Sequence, residues 1–527
     1  MGIPSYFSYI VKNHPEIIKK LSTSNLNIHN LYLDCNSIIY DVVYSSNDIS
    51  DEEIIKKVIS KIEEYISIIN PIYSIFIAFD GVAPIAKLDQ QRERRYKSQI
   101  IKKINQNIRN ENNNTWNTSA ITPGTPFMNK LDNIFTEYFK DPSIYNIKKI
   151  ILSTPSDAGE GEHKIFKYIR DNKNIHSEQN TIIYGLDADL IMLSINHLPI
   201  SNNIYLFRET PEFIKSIDNS LEPNQNYILD IPNLAHKIIL EMNNTNEINN
   251  VQEKNIIYDY IFLCFFLGND FMPHFPALNI RTGGIDKLIN AYKNTIGKSS
   301  QNITDGTKIY WKNLHKIISF LESSEQQYII DDDKLRNKRE KRFYPINTNE
   351  QKITKFDAIP SYERNMEKYI NPHKSGWKER YYKILFDIDV DEERLKQICI
   401  NYLEGLEWTM KYYTIDCPDW SWAYKYHYPP LLQDLLKYIP YFDTTFIKPN
   451  NNEPVSSIIQ LCYVLPKKSL DFLPNNIHTY LTNNLSHLYP DDCELIWSYN
   501  KYFWESHTSL PKIDINELKK SIQNIYI

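Results

Sequence analysis

Three short runs of β-branched and aromatic residues each run into an aspartate: LYLD at 31–34, SIFIAFD at 74–80 and TIIYGLDAD at 181–189. Segments this short and this continuously apolar read as strands buried on both faces, with the acids marking their turn-like exits. KKIILS at 148–153 is a fourth run of the same kind. Between them lie stretches with helical periodicity, such as DEEIIKKVISKIEEYISII (51–69) and HKIFKYIRD (163–171). Strands alternating with helices predict a parallel α/β sheet, and ligands of such sheets collect beyond the carboxyl ends of the strands. The aspartates occupy those ends.

The stretch AGEGEHKIF, residues 158–166, raises a second question. Glycine makes up about 7% of an ordinary chain, yet there are 13 glycines in these 527 residues and two of them flank Glu160. One reading is a helix N-terminus, where acids in the first turn suit the helix dipole. The other is an extended segment whose alternate residues, Glu160 and Glu162, face the same way. The same spacing recurs at Asp187 and Asp189. With Asp34, Asp80 and Asp270 of LGNDFMPH, seven acids stand at predicted strand ends or helix starts. Each alone is explained as a cap or turn residue. Brought together they would repel strongly, so a cluster needs cations. Mg²⁺ or Mn²⁺ suits oxygen donors, and two such ions about 4 Å apart stabilise both the attacking and leaving oxygens of phosphodiester hydrolysis.

A net charge of −6 argues at first against a polyanionic partner. Between residues 81 and 110, however, eight Lys or Arg face only Asp89 and Glu93. Within this segment Lys87, Gln91, Arg94 and Arg95 are spaced to share one helical face. Arg forks take phosphate oxygens bidentately, so the face reads as a phosphate pocket close to Asp80, or else as a solvated basic surface.

The length admits several domains. The expected division is an α/β half over 1–250 and a mainly helical half over 251–527. A charged linker or insertion is expected near 325–360, where DDDKLRNKREKRF falls, and the Asn-rich stretches 105–117 and 243–250 read as loops. Six scattered cysteines without a CxxC pair indicate neither a zinc ribbon nor a disulfide framework and suit a reducing compartment. No signal peptide is evident, and the most apolar run, Ile261 to Leu267, is too short to span a bilayer. The expectation is a soluble, intracellular monomer, cytoplasmic rather than nuclear. Gly297-Lys298-Ser299 lacks the upstream glycine of a P-loop, so no nucleotide cofactor is expected, and no Ser/His/Asp elbow is present.

MGIPSYF, NLYLDCNSIIYD, FDGVAPIAKLDQQRERRYKS, ITPGTPFMNKLD, GEGEHKI, YGLDADLIML, LGNDFMPHFPALNIRTGGIDKLI, YLEGLEWTMKYY and CPDWSWAYKYHYPP resemble, in order, the signature segments of the XRN family of 5′-to-3′ exoribonucleases. The resemblance runs through nearly the whole chain. It implies a PIN or flap-nuclease-like core joined to a helical region, and a Mg²⁺-dependent enzyme that degrades single-stranded RNA processively from a 5′-monophosphate end, releasing nucleoside monophosphates. By position, the seven acids match the family's metal-binding set, and Lys87, Gln91, Arg94 and Arg95 match its 5′-phosphate pocket. Tyr40 stands where the family usually has His, which implies stacking on the terminal base with an altered pH response. Its opposing platform is expected at Trp408, with Trp420 and Trp422 as rivals. YPDDCEL and LPKIDINELKKSI resemble the closing segments of the family's shared core, which implies a compact member with shorter processive runs. The alternatives are a flap-type DNA nuclease, weakened because the segment after Asp270 offers only Gly283 and Gly284 for a phosphate-gripping turn, and a catalytically dead RNA-binding scaffold.

Overall fold

The computed structural model describes residues 3–23, 26–46, 49–110, 116–209, 215, 221–222, 225–243, 250–299, 301–448, 450 and 452–526. Its centre is a seven-stranded sheet built from β1 (Ile18–Lys20), β2 (Asn30–Asp34), β3 (Ser74–Ala78), β4 (Lys149–Ser153), β5 (Thr181–Tyr184), β6 (Ile204–Glu209) and β7 (Asn226–Asp230). The spatial order is β1-β7-β6-β5-β2-β3-β4. The five strands from β6 to β4 run parallel, while β7 runs antiparallel to both β6 and β1. All four sequence-predicted strands are present, and the reason is burial on both faces. Leu31, Leu33, Ile75 and Ile77 pack into one apolar cluster with the helix Asp51–Ile69, whereas Tyr32, Phe76 and Ala78 pack into another on the opposite face. That helix starts at a capping box between Ser50 and Glu53 and ends at Asn70 in the left-handed region.

Register sets the site. Leu33 pairs with Tyr184 and Asp34 with Ala78, so β2, β3 and β5 end level and their following acids leave from one edge. The chain beyond 250 is mainly helical, as expected, apart from a small sheet of β8 (Glu494–Ile496) and β9 (His507–Ser509). One apolar cluster contains Tyr6, Phe166 and Leu193 together with Phe265, Trp408 and Tyr413, so the two halves share a core. A third cluster joins Ala83, Ile85 and Leu88 to Leu461, Leu481 and Ile522, packing the C-terminal segment on the start of the basic helix.

Two expectations are corrected here. The charged run at 331–343 is no linker: most of it lies in the helix Glu325–Glu340, and Arg336 is buried. The helix is held because Glu367 accepts from Arg336 Nε at 2.9 Å and Nη2 at 2.6 Å, and also from Arg364 Nε at 2.6 Å. Asp332 and Arg336 point inward, while Asp331, Lys334 and Lys338 stay exposed to water. In the Asn-rich stretch, residues 105–109 continue the helix Ile85–Arg109, which stops at Asn110 with φ 55°; residues 111–115 and 244–249 lie outside the described residues.

Candidate active site

The seven acids come from β2, from the segments after β3 and β4, from the helix start after β5, and from the turn after Leu267. Asp34 Oδ1 is buried with no hydrogen-bond partner among the described residues. Asp80 accepts the Gly161 N–H through Oδ1 at 2.7 Å and the Asn36 amide through Oδ2 at 2.8 Å. A Cβ on Gly161 would stand 2.8 Å from Asp34 Oδ1 and 3.5 Å from Asp80 Oδ1. This glycine therefore lets the GEGE backbone approach the carboxylates, which answers why it lies between Glu160 and Glu162. The extended-segment reading of the acid pairs is corrected. Glu160 and Asp187 are extended residues capping the helices Gly161–Asp171 and Ala188–His197, and Glu162 and Asp189 sit in the first turns. An extended residue followed by a helical turn still aims both acids toward the sheet edge, and the helix N-termini favour their charge.

Burial, followed by the Asp80, Asp187 and Glu160 carboxylates, pushes Asp34 well above the ordinary carboxylate range. Glu162 is pushed up by burial and then by Asp189 and Glu160. Burial and Asp270 carry Asp189 up to about 7. Asp270 goes the other way: burial raises it, but Lys87, through its charge and hydrogen bond, together with Arg94 and other positive charge holds it below its usual range. A buried all-carboxylate donor set with an orphaned oxygen fits a cation such as Mg²⁺, which prefers oxygen ligands.

Lys87 was expected with the phosphate-binding group, but its ammonium lies among the acids. It bonds Asp270 Oδ2 at 2.7 Å and pairs with Glu160 Oε1. The cause is electrostatic, because Asp270, Glu160, Glu162 and Asp189 together outweigh its burial and keep it charged. Gln91 is buried one turn further along with an unpartnered Oε1 among the described residues. Arg95 donates to Thr122 Oγ1 at 2.7 Å, leaving its buried Nη1 without a partner among the described residues. Burial lowers Arg95 to about 10, against an opposing pull from Tyr40. Arg94 is lowered by burial but raised overall by Tyr40, Asp270, Asp187 and Asp80, so it feels both the aromatic and the acidic groups. Tyr40 is half-buried and stacks on Tyr44, with ring centroids 6.2 Å apart and an interplanar angle of 20°.

Trp408 is corrected as a base platform. It is 0% exposed, donates its indole N–H to the Asp419 carbonyl at 2.8 Å, and is packed between Tyr412 and Trp422. It lies on the helix Glu392–Thr414, which traverses the core, so its ring has no free face. Trp422 is also buried. Trp420 keeps surface and its carbonyl accepts the Ile85 N–H at 3.0 Å, at the start of the basic helix.

Four supporting residues escaped the sequence reading. Tyr412 donates to Glu160 Oε2 at 2.9 Å and Tyr413 to Asp189 Oδ1 at 3.1 Å, so adjacent residues of one helix hold two different acids. His163 stacks on Tyr412 at 3.8 Å and is kept neutral chiefly by burial. Asn36 clamps Asp80 through both its amide and the Asp80 N–H. Asn36 had a weak signal, two residues after Asp34. The tyrosines had none, because only packing brings their hydroxyls to the acids.

A cavity of about 770 Å³ opens beside Asp187, Asp270 and Arg94 and is lined further by Arg208, Arg281 and His507. Among the described residues no helix is long and apolar enough to cross a membrane.

Curated relatives match along the whole chain. The 5′-3′ exoribonuclease 2 of Gallus gallus is 27% identical, covering 100% of this chain and 70% of the relative. The 5′-3′ exoribonuclease 2 of Arabidopsis thaliana is 25% identical, covering 100% and 67%. The 5′-3′ exoribonuclease 1 of Saccharomyces cerevisiae is 26% identical, covering 99% and 43%. The family model for the XRN 5′-3′ exonuclease N-terminus matches residues 1–210, the segment that holds six of the seven acids and the basic helix. The Xrn1 helical domain matches residues 250–370 and 349–527, the segment that supplies Asp270 and both acid-holding tyrosines. Sequence, sheet-edge acids and their helical supports thus converge: the chain belongs to the XRN 5′-3′ exonuclease family.

Proposed function

We infer that the chain is a 5′-to-3′ exoribonuclease, and propose that it hydrolyses single-stranded RNA from a 5′-monophosphate end and releases nucleoside monophosphates. The observation that carries this reading is the juxtaposition of a buried carboxylate cluster with Arg94, which feels those acids, and Arg95, whose buried Nη1 has no partner among the described residues, on one helix. In the proposed mechanism Arg94 and Arg95 take the terminal phosphate, with Arg95 Nη1, unpartnered among the described residues, as a donor and Gln91 beside it. Tyr40 supplies one stacking surface for the first base; Trp420 replaces Trp408 as the candidate for the other. Base stacking on an aromatic platform contributes about 1–3 kcal/mol and tolerates any sequence. Asp34, Asp80, Glu160, Glu162, Asp187, Asp189 and Asp270 would hold Mg²⁺, and Mn²⁺ by the same chemistry. When bound, that metal supplies Lewis-acid stabilisation of the phosphodiester oxygens and lowers the pKa of water. Mg²⁺ usually takes one or two carboxylates and keeps several waters, so seven acids support two ions rather than one. Tyr412, Tyr413 and Asn36 fix the carboxylates, and Lys87 offers ammonium donors to phosphate oxygens at the junction of the two groups.

The test is digestion of otherwise identical RNAs bearing monophosphate, triphosphate, hydroxyl or capped 5′ ends, with and without Mg²⁺. Expected is Mg²⁺-dependent release of mononucleotides from the monophosphate RNA and slow turnover of the others. Faster cleavage of a 5′-flap DNA duplex, or indifference to the 5′ group, would refute the proposal. The retained acids leave a dead scaffold without support.

A further inference from the structure

We propose that Glu93, His427 and His507 form a second metal site, selective for a transition ion such as Zn²⁺ and separate from the carboxylate cluster. Among the described residues, this is the one group of three His, Cys, Asp or Glu whose ligand atoms all lie within 4.8 Å of one another. The three come from the helix Ile85–Arg109, the segment before Tyr428 and strand β9, so only the fold assembles them. His427 Nδ1 is 3.5 Å from Glu93 Oε1. Ligand atoms around a tetrahedral Zn²⁺ with bonds of 2.0–2.1 Å stand roughly 3.3 Å apart, so this pair is already near the required spacing. The two imidazoles face each other with centroids 5.1 Å apart at 31°.

The donor chemistry separates this group from the acids around Asp34. Two imidazoles and one carboxylate suit Zn²⁺, Co²⁺ or Ni²⁺, whereas an all-carboxylate set suits Mg²⁺. Burial first keeps both histidines neutral, helped by Lys512 at His427 and by His427 and Lys97 at His507, and neutral imidazole is the form that ligates. All three residues line the same cavity as Asp187, Asp270 and Arg94, so the fourth position of an ion would open toward that space. The opposing charge is Lys97, one helical turn after Glu93, whose ammonium is held by the Ser506 carbonyl at 2.5 Å.

The full chain is titrated with Co²⁺ in the presence of excess Mg²⁺, and visible absorption and calorimetric stoichiometry are read. Expected is one equivalent of Co²⁺ that Mg²⁺ does not displace. Affinity should fall at least tenfold in Glu93→Gln and in His507→Gln, and the site should vanish in the double variant His427→Gln, His507→Gln. It should persist in Asp187→Ala, which alters the carboxylate cluster instead. Absence of Mg²⁺-resistant Co²⁺ in the unaltered protein, or its retention in the double variant, would overturn the proposal; so would its loss in Asp187→Ala. If the His variants fold poorly, Zn-edge X-ray absorption of the unaltered protein decides: two imidazole ligands support the site, and one or none rejects it.

Discussion

Tyr412 and Tyr413 show how much of this site depends on single hydroxyls. Their hydrogen bonds to Glu160 and Asp189 span 252 and 224 residues of sequence, and both groups are buried. Partners that orient metal-ligating carboxylates typically matter by about 10–100-fold in metal affinity or activity. Tyr412→Phe is therefore expected to raise the Mg²⁺ concentration needed for half-maximal turnover by about that factor while leaving RNA binding intact. Unchanged Mg²⁺ dependence would mean that Glu160 is positioned by its helix cap alone. Glu162→Ala goes further, removing an acid rather than its support, and should abolish turnover in single-turnover assays while RNA still binds. Residual hydrolysis near the unaltered rate would take Glu162 out of the proposed metal site.

Among the elements, the helix Ile85–Arg109 joins three groups of residues to which roles are proposed. Its first turn sends Lys87 into the acids, the next turns present Arg94 and Arg95, and the face with Glu93 and Lys97 meets β9. Arg95→Ala should lower the preference for 5′-monophosphate over 5′-hydroxyl RNA at least tenfold, read as the ratio of kcat/KM values; a preserved ratio would place the phosphate elsewhere. The helix Glu325–Glu340 makes the opposite point. Its charged sequence resembles a solvent-facing run, yet Arg336 and Arg364 converge on buried Glu367, which also accepts the Tyr499 N–H at 2.8 Å. Removing one partner of a buried ion pair costs about 3–5 kcal/mol, because the remaining charge stays desolvated. Glu367→Ala should accordingly lower the urea midpoint of the second half markedly, and a midpoint within error of the unaltered protein would contradict the burial argument.

At the level of the whole molecule, proton binding by the acids would oppose the proposed metal binding. Asp189 has a pKa of about 7 in the fold against 3.8 for the free side chain. Between about pH 4 and 7 the folded protein therefore holds a proton that the unfolded chain has released. Stability contributed by this group is full at low pH and is lost as pH rises through that window. Asp34 and Glu162, also raised, act in the same direction, while Asp270 is ionised throughout it. Metal binding requires the ionised acids, so Mg²⁺ should raise Tm more at pH 8 than at pH 6, in melts run with Mg²⁺ against EDTA. An equal shift at both values would argue that the acids do not exchange protons for metal. The shared core also makes this a property of both halves, since Asp270 and the two tyrosines come from beyond residue 250.

Local pattern was enough for four of the seven strands of the central sheet, their parallel alternation with helices, and the placing of acids at strand ends and helix starts, because burial on both faces and a 3.6-residue period leave marks within a few neighbouring positions. The GEGE spacing was legible as important but not in its geometry: an extended cap followed by a helical turn and an extended run share the same spacing. What only the tertiary structure decided were long-range pairings. Trp408 turned out to be core, Lys87 found the acids, Arg336 turned inward to Glu367, and Glu93 met two histidines from more than 300 residues away. An aromatic ring or a long charged side chain carries no local sign of which remote surface it will meet. Its partner is chosen by packing and by the field of groups that fold around it.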